Sequence, residues 1–83
     1  MQIPRLQYSR HACLRMRRYG IADDEVEAIV WYPAHREVTG RGVNHYGSSS
    51  DGRSFRVSTS PDERSVITVV ELQRRENRRR SSR

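Results

Sequence analysis

The sequence predicts an α+β domain, an N-terminal helical hairpin packed on a three- to four-stranded antiparallel sheet. Three observations carry this. Before Pro33 the apolar residues recur at helical spacings of three and four. After Pro33 they alternate over short runs broken by glycine. Two turn signals, Asp51-Gly52 and Pro61-Asp62-Glu63, then separate the runs richest in β-branched and aromatic residues.

The elements follow in order. "MQIPRLQ" is a short lead-in whose proline fits an extended segment or an edge strand. Ser9 is placed to cap a helix. Ala12, Cys13, Met16 and Tyr19 form the stripe expected to pack, and His11, Leu14, Arg15 and Arg18 the neighbouring stripe. Gly20 is a natural residue to end this helix. In "ADDEVEAIVWYP" three acids complement the start of a second helix, and Val26, Ile29 and Val30 make its buried stripe. Ile21 staples onto that stripe from outside, and Pro33 closes the helix. Trp31 is expected to cap the core.

"HREVTGRG" and "VNHYGSSS" are loosely alternating strand candidates. In "SFRVSTS", Phe55 and Val57 point one way, Arg56 and Ser58 the other. "SVITVVEL" is apolar on both faces for part of its length, as a central strand covered by helices on one side would be. Residues 1–72 are thus expected to form one domain. Residues 73–83, six of eleven arginine and none apolar, are expected to form a basic disordered tail.

Composition narrows the partners. The 83 residues carry a net charge of +6, and all sixteen basic residues are arginine. Arginine offers a planar fork that pairs with phosphate at two points and stacks on bases. A basic surface attracts polyanions in general, so the charge alone does not specify nucleic acid. A single cysteine, Cys13, forms no internal disulfide and fits a reducing cytoplasm. No apolar run approaches the roughly 20 residues of a membrane helix, and "MQIPRLQYSR" lacks the apolar centre of a signal peptide. A cytoplasmic protein without a membrane partner is expected.

His11-Ala12, Arg15-Met16, Gly20-Ile21, Glu25-Val26 and Pro33, followed by Asp51-Gly52-Arg53, Val57 and Val66 to Val69, stand in an order and spacing that resembles the small bacterial family DUF 4258. The resemblance covers Tyr8 to Leu72. It implies a RelE/barnase-like fold, similar to metal-independent toxin ribonucleases whose RNA site lies on the sheet. Two positions depart from the family pattern. Tyr19 stands where arginine is common, and Ala22 stands where a serine-like cap is usual, leaving Asp23 to cap instead.

Metal-free RNA cleavage needs a base for the 2′-hydroxyl, an acid for the leaving oxygen and cations for the phosphate. His11, in the first turn of its helix, is the first candidate for proton transfer, with Arg15 one turn along the same face and Arg18 on the same stripe to hold phosphate. The competing structural reading has His11 bonded to a strand carbonyl and Arg15 paired with Glu25 or Glu27. His45 and Tyr46 are an acid–base partner and a stacking platform or proton donor, or else one buried and one solvated strand residue. Of Arg53 and Arg56 only one can line a given sheet face, and the family pattern favours Arg53 as the phosphate ligand. Thr68 matches the family's strand core, either orienting a side chain or filling a pleat position.

His11, His35 and His45 have no metal-site spacing, and Cys13 is expected in the core. There is no phosphate-binding loop, dinucleotide fingerprint or nucleophile elbow, so no cofactor is expected. The leading expectation is a toxin-like endoribonuclease acting on RNA by general acid/base catalysis. The alternatives are a non-catalytic nucleic-acid-binding module and a module that binds an acidic, antitoxin-like protein.

Overall fold

The computed structural model of the chain describes residues 6–72. The basic segment 73–83 lies outside the described residues. The elements are β1 (Gln7–Tyr8), α1 (Arg10–Tyr19), α2 (Asp23–Trp31), β2 (His35–Val38), β3 (Val43–Ser48), β4 (Ser54–Thr59) and β5 (Ser65–Leu72). The strands form one sheet in the order β1-β5-β4-β3-β2. β1 runs parallel to β5, and the other pairings are antiparallel.

This corrects the expected architecture. The class is α+β, but the sheet has five strands and is mixed, and the two helices do not form a hairpin unit laid on it. Each helix docks on the sheet separately, α1 mainly on β5 and α2 on β3 and β4. The fifth strand comes from the lead-in. Leu6 is buried, the Gln7 N–H donates to the Arg64 carbonyl at 2.9 Å, and the Ser9 N–H donates to the Val66 carbonyl at 3.0 Å. Two residues are too few to show an alternation, so tertiary pairing alone makes β1. The opposite edge, β2, has all four residues exposed and is held by its backbone pairing to β3.

Local chemistry sets the helix ends. The Ser9 hydroxyl accepts the Ala12 N–H at 3.0 Å and donates to the Ile67 carbonyl at 2.7 Å, so one side chain caps α1 and ties it to β5. Gly20 takes the left-handed conformation (φ 70°), and the N–H groups of Gly20 and Ile21 satisfy the carbonyls of Arg17 and Met16. Ala22 itself occupies the N-cap of α2 without a side-chain bond, and Asp23 is the first helical residue rather than the cap. Asp23, Asp24 and Glu25 compensate through the helix dipole.

The core lies between the helices and one sheet face. Ala12, Ile21, Val26, Ile29 and Val30 meet Leu6, Phe55, Val57, Val66 and Val69, with Tyr8, Met16 and Tyr19 at the margin. Cys13 is exposed, contrary to expectation. Ala12, Met16 and Tyr19 take the sheet-facing stripe, and Cys13, about 100° further round the helix, falls outside it. Trp31 sits at the core's edge, 37% exposed, on a cleft it shares with Leu6 and Glu63.

The Ser9→Ala variant is expected to lose about 1–2 kcal/mol of stability, seen as a lowered Tm, with Ser9→Thr recovering most of it. In the native protein the Cys13 thiol should react with an aromatic disulfide reagent without a denaturant, and slow, unfolding-limited labelling would contradict its exposed position.

Candidate functional site

The pleat divides the polar residues of the sheet between two environments. On β4, Phe55, Val57 and Thr59 are buried under the helices, so Ser54, Arg56 and Ser58 face the other way. Cross-strand register carries this division outward. Arg56 stands opposite Tyr46, and Tyr46 opposite His35; Ser58 stands opposite Asn44, and Asn44 opposite Glu37. On the other side Thr68 pairs with Ser58 and Val70 with Arg56. Among the described residues no helix covers this face.

Side chains on the open face are bonded to one another. Glu37 Oε1 accepts from the Tyr46 hydroxyl and from the Asn44 amide, each at 3.3 Å. The Ser58 hydroxyl donates to Asn44 Oδ1 at 2.7 Å. The rings of His35 and Tyr46 lie 5.5 Å apart at a 40° tilt. Arg56 is half-buried, and its Nε has no hydrogen-bond partner among the described residues. A shielded donor on a charged group is costly unless something supplies an acceptor. One face thus holds a carboxylate, an imidazole, a phenol and a guanidinium, presented on three paired strands.

The covered face holds a second polar group. His45 has no exposed surface, and its Nε2 lies 3.1 Å from Thr59 Oγ1 and 3.6 Å from Glu63 Oε1. Its Nδ1 has no hydrogen-bond partner among the described residues. Arg36, the inward neighbour of His35, clamps Glu63 with two nitrogens, Nε at 3.1 Å from Oε1 and Nη2 against Oε2. Glu63 adopts a left-handed backbone (φ 60°) in the β4–β5 turn. Burial lowers the His45 pKa, Glu63 opposing this and Arg36 adding to it. The hydrogen bond from Arg36 holds the Glu63 carboxyl below its ordinary range.

The residues singled out in the sequence do not form one constellation. Tyr46 and Thr68 are on the open face. His45 is sealed in the core. His11 and Arg18 are exposed on α1, across the sheet from Tyr46, and Arg15 donates to the Tyr19 hydroxyl at 3.0 Å. Arg53 precedes β4, and its guanidinium is engaged on several sides. It bonds the Tyr19 carbonyl at the end of α1 and both Asp51 oxygens, at 3.2 and 2.9 Å, and it lies 5.2 Å from the Phe55 ring centroid. Its Nη1 also stands 3.6 Å from Glu71. The geometry makes Arg53 a clamp between α1 and the β3–β4 turn, and leaves Arg56 as the arginine of the open face.

Sequence reasoning passed over His35, Glu37, Asn44 and Arg56 as site residues. The available signal was the alternation of "SFRVSTS", which already turned Arg56 away from the core. Register across the Thr39–Gly42 turn would then have brought His35 and Glu37 beside Tyr46 and Asn44.

No protein-family model, curated protein or solved structure matches the chain. Among the described residues no cluster of three or more His, Cys, Asp or Glu side chains is arranged to hold a metal ion. No helix among them is long and apolar enough to cross a membrane.

Acid should destabilise the fold in two stages. The lowered His45 pKa means the unfolded chain binds its proton first. Stability is therefore full above about 6.5 and falls as pH drops from there through the depressed folded value. Glu63 contributes stability that is present above about 4.5 and is lost as its carboxylate protonates below that. Thermal melts across this range should show both stages, and His45→Gln should remove the upper one.

Proposed function

We propose that the open face of the sheet binds single-stranded RNA and cleaves it without a metal, the chemistry that the resemblance to toxin-like ribonucleases implies. The observation that carries this reading is the convergence of His35, Glu37, Tyr46 and Arg56 on one uncovered face. Together they provide the base, acid and cation that the reaction needs.

The roles follow from what each group has free. Glu37 Oε1 is taken by Tyr46 and Asn44, while Oε2 has no hydrogen bond among the described residues. Oε2 is the base that removes the 2′-hydroxyl proton. The 2′-oxygen attacks the adjacent phosphorus, and the bond from phosphorus to the 5′-oxygen breaks. Protonated His35 gives its proton to that leaving oxygen, so the products are a 2′,3′-cyclic phosphate and a 5′-hydroxyl. Arg56, half-buried on the open face, holds the phosphate with its guanidinium as negative charge builds. Tyr46 orients Glu37 through its hydroxyl and offers its ring for base stacking. Thr68 and Ser58 border the row.

The same surface without proton transfer would be a nucleic-acid-binding module, and the presence of a product separates the two. On end-labelled RNA with EDTA present, the protein should yield cyclic-phosphate ends. Glu37→Gln and His35→Ala should each lower the rate by about 10²–10⁴-fold, and Arg56→Ala by about 10²–10³-fold. His11→Ala, on the opposite side of the molecule, should cleave normally. Cleavage that survives Glu37→Gln, or that disappears in a folded His11→Ala, would move the chemistry off the open face.

A further inference from the structure

At one end of the open face lies a cleft of about 270 Å³, lined by Thr39, Arg41, Asn44, Ser58 and Ile67 over the backbone of Gly42 and Thr59. Asn44 and Ser58 are each two residues along their strands from Tyr46 and Arg56, on the same face. That is a displacement of about 7 Å, so a strand whose phosphate sits at Arg56 brings a neighbouring nucleotide to the cleft.

The hydrogen-bonding capacity of the cleft is mostly used internally. The Thr39 hydroxyl donates to the Gly42 carbonyl at 3.1 Å and accepts the N–H groups of Arg41 and Gly42 at 3.2 Å, which fixes the β2–β3 turn. Ser58 donates to Asn44, and Asn44 to Glu37. The Arg41 guanidinium makes no hydrogen bond or ion pair among the described residues, and it carries five donors and no acceptor. Ile67, the extra residue of a bulge in β5, is 48% exposed and supplies an apolar wall. A flat ring can rest on that wall while its edge meets the arginine.

A donor-only fork selects a base edge with two adjacent acceptors. Guanine presents O6 and N7, whereas adenine presents N7 beside an amino donor that Arg41 repels. We infer that this cleft is a nucleobase subsite that prefers guanine, with Arg41 reading its O6/N7 edge. The inference rests on the open face being the RNA-binding surface, and does not need that surface to be catalytic.

The test uses the full chain and short fluorescein-labelled 2′-O-methyl oligonucleotides, which bind but cannot be cleaved, at one fixed salt concentration. A uridine tetramer with one guanine should bind about tenfold more tightly than the same tetramer with adenine. Substituting 7-deazaguanine, which lacks the N7 acceptor, should remove most of that gain, and Arg41→Ala should bring the guanine oligonucleotide to the affinity of the adenine one. Arg41 is exposed in a turn, so the variant is expected to fold, and circular dichroism checks this. Equal affinity for both bases in the unaltered protein overturns the subsite, as does a loss in Arg41→Ala that is the same for both, the mark of a phosphate contact. Guanine preference without cleavage of unmodified RNA supports the subsite and overturns the catalytic reading. Absence of binding to every oligonucleotide overturns both.

Discussion

The structure depends on the phase of one strand. Phe55 and Val57 have no exposed surface, and their burial against the helices fixes which side of β4 is in and which is out. A strand has a period of two, so a slip of one residue would exchange the two sets completely. β4 is the middle strand, and its phase is passed to both neighbours through paired backbones. His45 is inward because Val57 is inward, Tyr46 outward because Arg56 is outward, and Arg36 and His35 divide in the same way.

This partition gives the molecule two polar groups of different character. In the inner one His45 and Thr59 are buried, and the half-exposed Arg36–Glu63 pair beside them joins the β4–β5 turn to the edge strand. The outer one keeps an unbonded carboxylate oxygen, Glu37 Oε2, and a guanidinium, Arg56, whose shielded Nε has no partner among the described residues. The two are separated only by the thickness of the strand. Arg36 lies between His35 and Glu37 in sequence, so the clamp on Glu63 also steadies the strand that presents both outer residues.

How much was legible in the sequence follows from where the signal was local. Ser9, Gly20 and the Asp51-Gly52 turn act within a few residues of themselves, and each takes the part that its chemistry dictates. The inward and outward phases of β4 were equally plain. The parallel strand β1 was not, because two residues carry no period and its partners lie nearly sixty positions away. β2 was equally faint, since an exposed edge needs no apolar alternation. The candidate site suffered for the same reason. His35 and Glu37 gain meaning only from register, and Arg53, prominent beside its glycine, turns out to brace the end of α1.

The bulge in β5 has its own consequence. Val66 pairs with Thr59 and Thr68 with Ser58, so Ile67 is an additional residue that reverses the parity of the strand beyond it. Val66 and Val69, three apart, can therefore both be buried, and Glu71 comes round to meet Arg53. The chain tolerates change here unequally. Exchanging the Ile67 side chain alters one wall of a shallow cleft, whereas losing the residue would turn every later side chain of the strand onto the opposite face. Over evolutionary time this segment should diverge in letters while keeping its length.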